Sequence, residues 1–166
     1  MTFVFLSPTK RAARYLERDN IDINILQTIL NFYCLYIDKR KKIENVKMSL
    51  DIDCRKADSE YNFVSKHILI AGPNRKHRRG KTKKDRLKYV LEHLAHEFRH
   101  CMQEVVFKKD ASEVTYDSTD DASYADNPLE IDAMWFEDRV NKKFVDLYYT
   151  LKRNKTRRDI SSFFTG

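Results

Sequence analysis

At 166 residues, with 42% hydrophobic and 34% charged side chains, the chain has the length and composition of one globular domain with a substantial core. Three glycines and three prolines are too few for a β-sandwich built on many tight turns, so helices are expected to dominate. The net charge is +7, yet residues 75–86, RKHRRGKTKKDR, hold eight Lys/Arg against one Asp, and the rest of the chain carries 24 charges of each sign.

The first residues, MTFVFLSPTK, carry an apolar run that stops at Leu6 with no basic residue before it, which reads as neither a secretory signal nor a membrane span. Ser7-Pro8 has the pattern of an N-cap followed by proline at the first helical position, predicting a short helix to about Asp19. Ile25, Leu26, Ile29, Leu30, Tyr33, Tyr36 and Ile37 recur at helical spacing and predict a second helix over 22–42. Residues 1–45 are therefore expected to be helical.

In VKMSLDIDC, residues 46–54, Val46, Met48, Leu50, Ile52 and Cys54 alternate with polar residues, the period of a half-buried strand. YNFVSKHILIA, residues 61–71, is its expected partner, and the polar connection RKADSE makes 46–71 an antiparallel β-hairpin. Its second strand offers an edge that could hold an extended peptide. Residues 72–86 form a basic loop running into a long helix over 82–106. After a polar stretch without apolar periodicity, Asn127-Pro128 opens a last helix over 127–153. The expected architecture is a single α+β domain, with a small antiparallel sheet packed on helices. The three cysteines, Cys34, Cys54 and Cys101, form no CxxC and point to a reducing, cytoplasmic setting.

The chemistry concentrates in HLAHEFRHCMQE, residues 93–104. Unrolled at 100° per residue, Leu87, Leu91, Leu94, Phe98, Cys101 and Val105 form one apolar stripe. His93, His96, Glu97, His100 and Glu104 gather on a second face. His96 and His100, at i and i+4, can chelate one ion, and Glu97 stands beside them as a general base: HExxH is two metal ligands and a base on one rigid helix. A catalytic zinc takes a third protein ligand. His67, His77 and His93 are weaker sources than the last helix, with His93 awkwardly placed on the same helix. Glu130, Asp132 and Asp126 are the carboxylates available there. Glu130 also fits a capping position three residues after Asn127.

HEFRHCMQ at 96–103 and YADNPLEIDA at 124–133 together resemble the small zincin-type metallopeptidases of the gluzincin group, many of them encoded by bacteriophages, whose pattern is HExxHxxQ, then Tyr and a Pro-x-Glu-x-x-Ala helix start. The resemblance covers those two segments closely and the preceding strands in outline; the first 45 residues lie outside it. It implies a zincin-like fold with HExxH on a central helix, Zn²⁺ held by His96, His100 and Glu130, Glu97 as catalytic base, and a peptide or protein substrate. It also implies Tyr124 as donor to the oxyanion, with Tyr116 and His93 as alternatives. Gln103 takes a supporting role. Where many gluzincins carry a polar residue one turn after the ligand glutamate to orient a histidine, this chain has Met134; Ala133 beside it would let the two helices approach closely. A phage-encoded member would act in the host cytoplasm or travel with the virion.

The basic run 75–86 opposes the dipole at the start of the active helix, so helix stability does not account for it. It is a candidate surface for nucleic acid or for an acidic protein, without aromatics for base stacking. Residues 110–138 hold ten acidic residues and no Lys or Arg, and could be its intramolecular partner. The rival to a peptidase is a non-catalytic nucleic-acid- or virion-associated binding protein on the same scaffold.

Overall fold

A computed structural model describes residues 2–38, 40, 43–73, 81–108 and 126–157. Its elements are β1 (Thr2–Pro8), α1 (Lys10–Asp19), α2 (Ile23–Ile37), β2 (Glu44–Ile52), β3 (Glu60–Asn62), β4 (His67–Ile70), α3 (Lys83–Val105) and α4 (Pro128–Arg157). The fold is α+β, with one four-stranded mixed sheet in the order β1-β2-β4-β3. Among the described residues no helix is long and apolar enough to cross a membrane.

Two expectations are corrected here. The N-terminal region opens with a strand: Thr2, Val4 and Leu6 are buried while Phe5 and Ser7 are exposed. Pro8 ends that strand, and Thr9 is the N-cap of α1, its hydroxyl accepting from the Ala12 N–H at 3.1 Å. A run in which nearly every residue is apolar hides the period of two, and β1 is fixed only by its parallel pairing to β2, about forty residues away. The second correction concerns 46–71, which is not a single hairpin. β2 runs parallel to β4, with Ser49 opposite His67 and Ile52 opposite Ile70, and the hairpin is the short β3–β4 pair within it. A parallel return needs a connection of about a dozen residues or more, and the stretch from Asp53 to Lys66 supplies it. The parallel pairing continues one step past β2 and β4. The Asp53 N–H donates to Ile70 O (3.0 Å), and the Gly72 N–H donates to Asp53 O (3.2 Å). A Cβ on Gly72 would lie 2.8 Å from Ile52 and 3.0 Å from Cys54 Sγ, so only glycine fits there.

α3 lies at the centre. Its Leu87, Leu91, Leu94, Phe98, Cys101 and Val105 are all buried, as the stripe predicted, and share one core with Val46, Met48, Leu50, Ile68 and Ile70 of the sheet. α4 closes the other side with Phe136, Val140, Phe144 and Tyr148, and its Ala133 is fully buried. The start of α3 is fixed twice. Thr82 and Asp85 form a capping box, and the buried Arg86 guanidinium donates to Asp19 of α1 at 2.8 and 2.9 Å.

The outer edge of β1 is occupied. Asn31 of α2 accepts from the Val4 N–H (2.6 Å) and donates to Val4 O (3.0 Å), while Gln27 accepts from the Leu6 N–H (3.0 Å). Two side-chain amides thus stand where a neighbouring strand would, which shields an edge otherwise open to pairing.

Candidate metal centre

His96 and His100 project from the middle of α3, and Glu130 from the first turn of α4 facing them; all three are buried. His96 Nε2 lies 3.3 Å from His100 Nε2 and 3.2 Å from Glu130 Oε2. His100 Nε2 is 3.4 Å from the same oxygen. Among the described residues this is the group that could hold a metal ion. The triangle has the right size for one. Ligands at about 2.0–2.1 Å around a tetrahedral zinc stand about 3.3–3.4 Å apart.

The tautomers of the two imidazoles follow from their outer partners. Gln103 donates its amide N–H groups to Leu129 O (2.9 Å) and to Asp132 Oδ2 (2.8 Å), both of which can only accept. Its oxygen is therefore the atom facing His100 Nδ1 at 2.9 Å, and that nitrogen carries the hydrogen. On the other ligand, Glu137 Oε2 accepts from His96 Nδ1 at 3.1 Å. In the neutral tautomers so fixed, both Nε2 lone pairs point at each other and at a carboxylate oxygen. Three converging lone pairs repel unless a cation lies between them. Without a metal, a proton takes that place: burial works against the His96 imidazolium, but hydrogen bonds to Glu130 and Glu137 and the charge of Glu97 outweigh it and push its pKa up to about 10.

Glu97 is 4% exposed. Burial raises its pKa, the nearby histidines lower it, Glu130 and Glu137 raise it again, and the carboxyl is pushed up to about 7, close to the value a general base needs at neutral pH.

The other candidates fall elsewhere. Asp132 is bound by Arg99 (Nε to Oδ2 2.8 Å, Nη2 to Oδ1 3.0 Å) and by Gln103, so its role is to orient, not to ligate. Asp126 is exposed ahead of α4, and Asn127 caps that helix with its side chain accepting from the Leu129 N–H at 2.9 Å. His93 stacks on Tyr89 with ring centroids 4.1 Å apart, and His67 pairs with Ser49 at 2.6 Å. Glu104, on the polar face of α3, reaches away to Lys66 and to the Tyr61 hydroxyl (2.8 Å). Tyr124, Tyr116 and His77 lie outside the described residues, as do residues 74–80 of the basic run.

Compared with protein-family models, with curated proteins and with solved structures, the chain matches none. Its site is therefore read from its own geometry.

One supporting residue escaped the sequence reading. Met134 left the orienting position after Glu130 apolar, and Glu137 fills it from one turn further on. Residues 130 and 137 are seven apart and share a helix face, a signal present in the sequence once Glu130 is taken as a ligand. Arg99 was also missed. It packs its guanidinium over Phe107 (4.8 Å) and Phe136 (5.3 Å) while gripping Asp132.

Proposed function

We propose that this chain is a zinc-dependent metallopeptidase of zincin-like architecture. One observation carries the reading: two imidazole nitrogens and a carboxylate oxygen converge at 3.2–3.4 Å beside a buried glutamate whose pKa is raised to about 7. Two nitrogens and one oxygen suit zinc, and an open fourth position is what separates a catalytic from a structural site. Zinc bound there would act as a Lewis acid towards a water molecule and a peptide carbonyl.

The chain's own groups do the rest. Glu97 takes the proton of the attacking water and passes it to the departing amine, so the peptide C–N bond breaks as the new C–O bond forms. Glu137 and Gln103 hold the two imidazoles in the tautomer that offers Nε2. Tyr124 donates to the oxygen of the attacked carbonyl. With the β1 edge taken by Asn31 and Gln27, the outer edge of β3 is the one on which an extended peptide adds as a strand. Host cytoplasm or virion is the setting this reading assigns. A binding protein with a purely structural metal site has no use for a buried carboxylate beside its ligands, and Glu97 is what favours the enzyme.

The decisive variant is Glu97→Gln. It should retain metal and lose hydrolysis of an unstructured protein substrate such as casein by at least about a hundredfold, the scale of general-base catalysis. Equal turnover by the variant, or no turnover by zinc-loaded wild type on any unfolded protein, would remove the peptidase reading.

A further inference from the structure

The flank of α4 turned away from Glu130 closes, with α2 and α3, a groove of about 430 Å³, within the range of sites that take a ligand or a partner's side chain. Its floor is aromatic: Tyr33 and Phe136 meet with centroids 4.4 Å apart and rings inclined at 60°, and Val140 extends it. Trp135, the chain's single tryptophan, stands at the rim 64% exposed. Arg139 lies with its guanidinium carbon 5.9 Å from the Trp135 ring centre, and Lys143 lines the groove one turn further on. Neither cation forms an ion pair with a described residue. The acid in the lining, Asp132, is already bound by Arg99 and Gln103. The result is a slot with an aromatic floor, walled on one side by the Arg99–Asp132 pair and carrying two uncommitted positive charges on the other. Trp135, Arg139 and Lys143 follow one another at four-residue steps, a stripe about 12 Å long. An exposed tryptophan and arginine beside a half-buried tyrosine match the composition of binding hot spots.

We propose that this groove docks an acidic peptide segment of a partner protein. One aromatic or aliphatic side chain of that segment lies on Tyr33 and Phe136, and the carboxylates flanking it meet Arg139 and Lys143. A small inorganic anion would leave the apolar floor exposed. A nucleic acid needs more cations than two and would meet Asp132 at one end of the groove. Asp132 links the groove to His100 through Gln103, but the docking holds whatever reaction the metal centre performs.

Trp135 makes the test direct, because its emission reports on the groove alone. The probe is a blocked decapeptide carrying one phenylalanine among glutamates, added to the full chain. Emission should change saturably with a dissociation constant below about 1 mM, and the same constant should appear in the anisotropy of a labelled copy. The exposed double variant Arg139→Gln/Lys143→Gln should weaken binding at least about tenfold, as should serine in place of the peptide's phenylalanine. Lysine in place of glutamate should abolish it. No binding by either readout, or equal affinity of the double variant, overturns the proposal. So does a labelled oligothymidylate that binds through Arg139 and Lys143 where the peptide does not. If Asp117→Asn/Asp120→Asn/Asp121→Asn tightens peptide binding about tenfold, the groove belongs to the chain's own acidic stretch and the partner is excluded.

Discussion

Glu137 is the residue on which the metal centre's geometry turns. Outside the His96–His100–Glu130 triangle, the His96 ring is held by Glu137, whose Oε2 accepts from Nδ1 at 3.1 Å. Removing such a partner commonly lowers metal affinity about 10–100-fold. Glu137→Ala, which removes the acceptor, should do so while leaving the fold intact, measured as a zinc dissociation constant by competition with a chromophoric chelator; unchanged affinity would mean that His96 is oriented by packing alone. The three residues of the candidate site were legible in part. His96 and His100 follow from residue type and helical period, since HExxH fixes two positions; on the helix beginning at Asn127-Pro128 the residues leave Glu130, Asp132 and Asp126 open, and the family resemblance is what points to Glu130. Arg99 and the bridging geometry of Gln103 were not, because each depends on how α3 and α4 face one another, and Glu137 could be read only after Glu130 was taken as a ligand. A sequence states which residues share a face of one helix, and not which face of another helix meets it.

At the scale of elements, helices were read well and strand partners poorly. α3 and α4 announce themselves by period and caps, and their ends fall within a few residues of expectation. β1 and the parallel β2–β4 pairing do not, because a strand's partner is a long-range choice and RKADSE looks like an ordinary hairpin turn. Asn31 and Gln27 show what a helix face can hide: two amides at i and i+4 on α2 complete the hydrogen bonding of β1. Losing a partner of a partly buried backbone N–H costs about 1–3 kcal/mol. Asn31→Ala should therefore lower the free energy of unfolding in urea by about that amount and speed amide exchange at Val4. Unaltered exchange at Val4 would show that the edge is guarded by something else.

For the whole molecule, the proposed metal and a proton would compete for one place between α3 and α4. In the metal-free protein the His96 pKa is raised towards 10, so its contribution to stability is complete below the ordinary histidine pKa of about 6.5 and is lost as pH rises through 10. Glu97, raised to about 7, costs the fold nothing below about pH 4.5 and progressively more up to pH 7. Both make the metal-free form weaker as pH rises, and over the same range the cost to a metal of displacing the His96 proton falls. A ligand at a hundred times its dissociation constant stabilises by about 2.7 kcal/mol, which for a chain of this length is a Tm shift of about 5–10 °C. Chelation should thus lower Tm by that order at pH 8 and by clearly less at pH 6; an equal shift at both would contradict the competition.

The central claim is that one zinc sits between His96, His100 and Glu130, and X-ray absorption at the zinc edge of the stoichiometric complex reads it most directly. It should report about one zinc per chain, nitrogen and oxygen neighbours at about 2.0–2.1 Å, and the outer-shell scattering of two imidazoles, reduced to one in His100→Ala. A sulfur neighbour at about 2.3 Å, or a spectrum unchanged by His100→Ala, would place the metal elsewhere and contradict it.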